Sequence, residues 1–222
     1  MKEIKRPYII LSSAMTIDGK IASKTGDPEL SDEKDWREVH KLRTQVDAIM
    51  VGKGTILQDN PKLHIKFFKN KGYYRIVVDS TLSISLDSNV ITYQPQIYPT
   101  IIGTTENASI DRIREFESKS VKILKSGAGP RVDLVNLLIL LSNLGIKSIL
   151  LEGGGNLNWS FIKQDLIDEM RITVAPWIIG GKDATSLVEG EGFDKMEQGR
   201  KFKLLKVYKR NNYVNLSYIR RR

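Results

Sequence analysis

Two stretches of this sequence have the residue types and spacing to hold an anion. In the first, Ile149-Leu150-Leu151 reads as the end of a buried strand, and Glu152 and three glycines, Gly153, Gly154 and Gly155, follow before Asn156 and Leu157. Leu157, Phe161 and Ile162 then recur at i, i+4 and i+5, the pattern of one helix face. A strand, a glycine turn and a helix start together present backbone N–H groups and the positive end of a helix dipole. Glycine lets the backbone approach a phosphate because no Cβ intervenes. Glu152 falls at the strand's C-terminal end, where ligands bind in open α/β sheets. The same residues also read as a plain glycine turn beside a surface carboxylate.

The second stretch is Ala48-Ile49-Met50-Val51, a buried strand, followed by Gly52-Lys53-Gly54-Thr55 and a short helical segment that Pro61 stops. It is not a P-loop, which needs Gly-Lys-Ser/Thr in one run after an earlier glycine. Neither turn matches the G-x-G-x-x-G dinucleotide fingerprint, and no acidic residue ends a strand about twenty positions on, so a Rossmann domain is disfavoured. Each turn follows a strand and precedes a helix, so both could open at the same sheet edge and suit a ligand with two anionic stretches, such as a dinucleotide. Thr55 and Asp59, four apart, share one face of the helical turn. The Thr55 hydroxyl either caps that turn or meets phosphate. Arg43 and Lys66 matter if they converge on a phosphate. Asp18 reads as a turn former, Trp36 as core, His40 as a solvated residue on a charged helix face, and His64 as a loop residue harder to dismiss.

Composition narrows the chemistry. The 222 residues are 41% hydrophobic and 27% charged, which is ordinary globular composition. There is no cysteine, which removes thiol nucleophiles, thiolate zinc sites and redox dithiols, and only His40 and His64 could serve a histidine-based site. No metal centre is expected. Lys plus Arg number 35 against 26 Asp plus Glu, a net charge of +9 that favours anionic partners. The basic residues are dispersed and no nucleic-acid-binding motif stands out, so a small phosphorylated molecule fits better than nucleic acid. The charged N-terminus lacks a signal-peptide core and no apolar run could span a bilayer, so a soluble cytoplasmic protein is expected.

The elements that must position these residues alternate. Strands are expected at Tyr8–Met15, 48–51, Tyr74–Asp79, Val90–Tyr93, Thr100–Gly103, Val121–Leu124 and 149–151. Helices are expected from about 33 to 46, capped by Asp32 and built on Trp36, Val39, Leu42, Val46 and Ile49; around Ile110, Ile113 and Phe116; and from Asp133 through Leu141 to Gly145. Residues 22–32 read as loop. An extended segment at 170–176, a glycine-rich loop at 180–200 and a hairpin around Asn211-Asn212 close the chain. The whole reads as one domain, 1–222, α/β with a mixed, mostly parallel sheet flanked by helices and a C-terminal antiparallel hairpin.

Four blocks in order carry a resemblance. They are Ser13 to Ala22 (SAMTIDGKIA), Val51 to Leu63 (VGKGTILQDNPKL), Val78-Asp79-Ser80, and Leu151 to Gly155 (LEGGG). They closely resemble the riboflavin-biosynthesis reductases, of the stand-alone archaeal and fungal type acting on 2,5-diamino-6-ribosylamino-4(3H)-pyrimidinone 5′-phosphate. They are also similar to the reductase domain of bacterial bifunctional deaminase-reductases. The zinc deaminase half of those enzymes needs cysteine ligands that this chain lacks, so the resemblance implies the reductase alone.

The resemblance implies a dihydrofolate-reductase-like fold, NADPH as cofactor and a homodimer. It implies cofactor contacts at Thr55, Asp59, Ser80, Gly153, Gly154, Gly155, Asn156 and Leu157. It implies substrate contacts at Glu152, Arg43, Leu63, Lys66 and Asp27, with Lys66 standing where bacterial relatives carry arginine. Ring opening of the ribosylamine would expose an imine at ribose C1′, which hydride reduces to the ribitylamine. Arg43 and Lys66 would meet the 5′-phosphate, and no catalytic acid is named. A pterin reductase of the same fold and a basic nucleic-acid-binding protein are the rival readings.

Overall fold

The computed structural model describes residues 5–69 and 72–221. The fold is α/β, with mixed, mostly parallel strands and an antiparallel C-terminal hairpin. The chain divides into two compact units, one of residues 1–8 and 40–150, the other of 9–39 and 151–222.

The first unit carries β2 (Ala48–Gly52), α2 (Lys53–Asp59), β3 (Tyr74–Val78), α3 (Asn89–Thr92), β4 (Thr100–Thr104), α4 (Ile110–Ser118), β5 (Lys122–Lys125), α5 (Leu134–Asn143) and most of β6 (Ser148–Leu151). Its strands lie in the order β5-β4-β3-β2-β6. The β2–β3, β3–β4 and β4–β5 pairs are parallel. Ala48, Ile49, Met50, Val51, Ile76, Val77, Ile101 and Ile102 are completely buried, as strands covered on both faces require. The apolar stripe Leu134, Leu137, Leu138 and Leu141 of α5 is buried, and Asp133 caps that helix by accepting the Asn136 N–H at 3.1 Å. At Gly103 of β4 a Cβ would stand 2.6 Å from Leu137 Cδ2, so glycine lets α5 press onto the strand.

The second unit carries most of β1 (Tyr8–Met15), the first part of α1 (Glu33–Arg43), α6 (Gly155–Lys163), β7 (Glu169–Val174), β8 (Phe202–Arg210) and β9 (Tyr213–Arg220). The order is β1-β7-β9-β8, with β1 and β7 parallel and the last two pairings antiparallel. The expected hairpin around Asn211-Asn212 is β8–β9, with Asn211 at φ +53°.

Three expectations are corrected. Val90–Tyr93 is not a strand: α3 occupies 89–92, with Ile91 and Thr92 N–H groups and the Thr92 hydroxyl all bonded to the Ser88 carbonyl. A four-residue apolar run cannot by its own pattern choose between strand and helix turn. Helix α1 ends at Arg43 rather than near 46. Its buried face is also rotated: Trp36 is 46% exposed, whereas Asp35, His40 and Arg43 are buried. Asp35 can be inside because its carboxylate accepts from Ser31 Oγ at 2.6 Å, Thr173 Oγ1 at 2.8 Å and Arg210 at 3.3 Å. Arg210 also donates to Asp32 at 2.6 Å, which ties β8 to the start of α1, where Asp32 caps the helix. Among the described residues no helix is long and apolar enough to cross a membrane.

Candidate functional site

The glycine turn of the second unit follows β6. Glu152 is half-buried, Gly153 has φ +92°, and the Gly153–Gly154 peptide is cis. Gly154 is the extended N-cap of α6, and its carbonyl accepts the N–H groups of Leu157 and Asn158, each at 3.0 Å. The Gly155 and Asn156 amides therefore lie ahead of the first intrahelical bonds, which leaves them as the donors an anion would meet. Gly155 serves a different end from the one its sequence suggests. A Cβ there would lie 2.5 Å from Ser186 O and 2.5 Å from Glu189 Cγ, so the chain's own segment fills the space. That segment is held by Glu189 N–H to Gly155 O at 3.1 Å, Asn158 Nδ2 to Leu187 O at 2.8 Å and Leu187 N–H to Gly19 O at 2.9 Å. Leu157 is buried with α6's apolar face, while Asn156 is exposed.

The other turn behaves differently. Gly52 is the extended N-cap of α2, and a Cβ on Gly54 would meet nothing within 4 Å. Among the described residues no contact requires glycine at 54. Thr55 is half-buried one residue on, and Asp59 ends the helix with its carboxyl pKa raised by partial desolvation. Ser80 follows β3. Its hydroxyl accepts the Val132 N–H at 3.3 Å, and its carbonyl accepts from Thr105 Oγ1 at 3.0 Å. Buried Asp79 shapes this turn by accepting the N–H groups of Thr81, Ser83 and Ile84 at 3.2, 2.6 and 3.0 Å. Lys53 Nζ reaches Thr81 Oγ1 and Ser83 Oγ, both at 3.4 Å, giving an ammonium beside two hydroxyls.

Cations gather around residues 62–66 of the same unit. Arg43, 6% exposed, donates from Nη1 to the His64 carbonyl at 2.8 Å. The Lys66 N–H donates to His40 Nδ1 at 3.1 Å. His40 stands edge-on to His64 and Phe67, and His64 to Tyr93. Lys62 Nζ lies 4.9 Å from the Tyr93 ring centre. Burial, then the charges of Arg43, His64 and Lys66, push the His40 pKa from 6.5 down to about 4. Burial and the neighbouring Lys66 and Arg43 also lower that of His64. The expectation of a solvated His40 is thus overturned: it is 3% exposed and bonded to a loop amide.

In the first unit, then, Arg43, Leu63 and Lys66 belong to one cluster, and Thr55, Asp59 and Ser80 lie on the segments that follow β2 and β3. In the second, Glu152 to Leu157 form one turn. Asp27 lies in the 22–32 loop, exposed, where its carboxylate accepts the Glu29 N–H at 3.0 Å. Asp18 is the expected turn former and more. Bonds from the Thr16 hydroxyl at 2.6 Å and the Gly180 and Ile179 amides at 2.7 and 3.2 Å lower its pKa to about 2. Sequence pattern alone reads His40 as solvated and gives Lys53 no role. His40 could have been found from its i, i+3 spacing with Arg43, which puts both on one helix face.

Residues 7–216 match the family model described as the RibD C-terminal domain. The chain belongs to the RibD C-terminal domain family. It is 42% identical over 206 residues to the 2,5-diamino-6-ribosylamino-4(3H)-pyrimidinone 5′-phosphate reductase of Methanothermobacter thermautotrophicus, covering 91% of this chain and 93% of that one. It is 37% identical to the protein of the same name from Aquifex aeolicus, over 95% and 93% of the two chains. Among solved structures, RibD of Acinetobacter baumannii superposes with a TM-score of 0.82 at 24% identity; the match covers 98% of this chain but 58% of that longer one. The riboflavin biosynthesis reductase Rib7 of Saccharomyces cerevisiae superposes at 0.76 with 20% identity, over 100% of this chain and 93% of that one. These last two likenesses establish the fold.

The depressed His40 pKa has a consequence for stability. The unfolded chain protonates this histidine near pH 6.5, whereas the folded chain resists until about pH 4. Its contribution is therefore full above about 6.5 and is lost as pH falls toward 4. Urea unfolding at pH 7.5 and pH 5 should show a smaller stability difference for His40→Asn than for the parent chain; an unchanged difference would mean His40 titrates normally.

Proposed function

We propose that residues 1–222 work as a single cytoplasmic reductase domain of riboflavin biosynthesis. The domain converts the ribosylamino side chain of 2,5-diamino-6-ribosylamino-4(3H)-pyrimidinone 5′-phosphate to ribitylamino. The observation that carries this reading is the match to the Methanothermobacter reductase, which runs nearly end to end in both chains. The cofactor is a nicotinamide nucleotide, which supplies hydride to C1′ of the opened ribose when bound.

The fit of such a nucleotide is supported at Gly54, where a Cβ would enter open space, and at the Gly155 and Asn156 amides ahead of α6. Thr55, Asp59, Ser80 and the 153–157 turn are the residues proposed to hold it. NADPH is the proposed form. Lys53 offers a phosphomonoester one cation, beside the Thr81 and Ser83 hydroxyls, which themselves donate to the Asp79 carboxylate. Arg43 and Lys66 are proposed to meet the substrate 5′-phosphate, Leu63 to pack against the substrate, and Glu152 and Asp27 to accept hydrogen bonds from it. A carboxylate suits the amino and ring N–H donors of a diaminopyrimidinone. Donor and acceptor carbons must be held about 3–3.5 Å apart, which the protein accomplishes by positioning rather than by covalent chemistry.

A homodimer is also proposed. β8 ends its strand order and leaves Leu204, Leu205 and Val207 exposed, at 47%, 53% and 52%. An unpaired apolar edge strand is a surface that a second copy can cover. Sedimentation velocity should give a dimer at assay concentration, and a monomer there would remove this part of the proposal.

The deciding experiment is NADPH oxidation with the ribosylamine phosphate, with dihydrofolate as control. Turnover of the first alone is expected, and turnover of dihydrofolate alone would replace this reading with that of a pterin reductase. Glu152→Gln should raise KM for the pyrimidine more than for NADPH; equal changes in both would cancel its assigned role. Lys53→Ala should erode the preference for NADPH over NADH by about tenfold, the scale of one charge-assisted hydrogen bond. An unaltered ratio would move the 2′-phosphate elsewhere.

A further inference from the structure

Residues 62–66 contain no strand or helix, yet a side chain holds a backbone group of each one. The Lys62 carbonyl accepts from Arg75 Nη1 at 3.1 Å, the Leu63 carbonyl from the Tyr73 hydroxyl at 2.8 Å and the His64 carbonyl from Arg43 at 2.8 Å. The Ile65 N–H donates to the Tyr98 hydroxyl at 3.4 Å, and the Lys66 N–H to His40 Nδ1 at 3.1 Å. Leu63 adopts φ +43°, a left-handed conformation that a leucine does not hold unaided. We propose that His40 is a positioning residue for the phosphorylated substrate, fixing the Lys66 end of this loop through its Nδ1 acceptor. The inference rests on the reading that Leu63 and Lys66 contact substrate.

The chemistry of the acceptor explains the choice of histidine. Accepting at Nδ1 requires a neutral ring with its proton on Nε2. Arg43 and the loop's own Lys62 and Lys66 supply positive charge here. An aspartate at position 40 could accept the same amide, but its charge would neutralise the cations that a 5′-phosphate needs. A neutral acceptor orients the loop and leaves its positive field intact. The other supports obey the same rule. Arg75 is fully buried, has no carboxylate partner among the described residues, and its guanidinium donates to the carbonyls of Lys62, Asn89 and Tyr98. Burial lowers its pKa to about 10, which leaves it charged at neutral pH. Every side chain holding this loop is neutral or cationic.

The test compares His40→Leu, His40→Asn and His40→Asp with Lys66→Ala, measuring KM for the ribosylamine phosphate and for NADPH. Asn places an acceptor close to the position of Nδ1. His40→Leu should raise the substrate KM about tenfold, the upper range for one lost hydrogen bond, with the NADPH KM little changed. His40→Asn should restore most of the loss. His40→Asp should keep the loop bond yet raise the substrate KM, and the deficit should shrink for a dephosphorylated substrate. If Lys66→Ala raises the substrate KM and His40→Leu does not, or Asn fails to rescue, the positioning role is overturned. If Lys66→Ala leaves the substrate KM unchanged, the loop is not a substrate contact and the parent reading of the site fails instead. Should His40→Leu not fold, equal substrate KM values for the Asn and Asp variants would overturn the proposal.

Discussion

A backbone amide or carbonyl removed from water must find a partner, and in the 62–66 loop neither a strand nor a helix supplies one. The chain meets this constraint with side chains reaching in from α1, from β3 and the residue before it, and from the segment ahead of β4. Their identities follow from the demand. The Tyr73 hydroxyl and the guanidinium groups are long donors that reach carbonyls across a packed interior, and the Tyr98 hydroxyl and the His40 imidazole are acceptors that carry no charge. The start of the loop is held in the same way, since Asn60 caps α2 in the left-handed conformation and accepts two bonds from Asn89, one from its backbone N–H and one from its Nδ2. Pre-organisation of this kind lets binding energy orient the substrate rather than order the protein.

Charge is arranged with equal economy. Carboxylates that do enter the interior are fully occupied: Asp79 by backbone amides, and Asp35 by hydroxyls and Arg210. The side chains that hold the backbone of residues 62–66 are cationic or neutral. Burial first, and then the neighbouring cations, lower the pKa values of His40 and His64. An incoming phosphate dianion relieves the repulsion among those cations. The net charge of +9 is thus given a local meaning.

The two glycine turns show why a motif is not yet a site. Gly155 is a glycine because Ser186 and Glu189 of the same chain need the space. A Cβ on Gly54 would meet nothing within 4 Å among the described residues. Of the three consecutive glycines that read as an anion cradle, one is a packing device.

The sequence by itself determined the strand and helix alternation, the cap at Asp133, the C-terminal hairpin and the four motif blocks, because buried strands, caps and tight turns are written in neighbouring residues. It could not determine the face of α1. Trp36, Val39 and Leu42 form an apolar stripe, but Asp35, His40 and Arg43 are turned inward by partners as far away as Thr173 and Arg210 for Asp35, and His64 and Lys66 for the other two. Nor could it give the roles of His40, Lys53 or Arg75, whose partners lie between 13 and 30 residues away. Local pattern encodes what a residue prefers, whereas only tertiary structure decides which distant group satisfies a buried charge or amide.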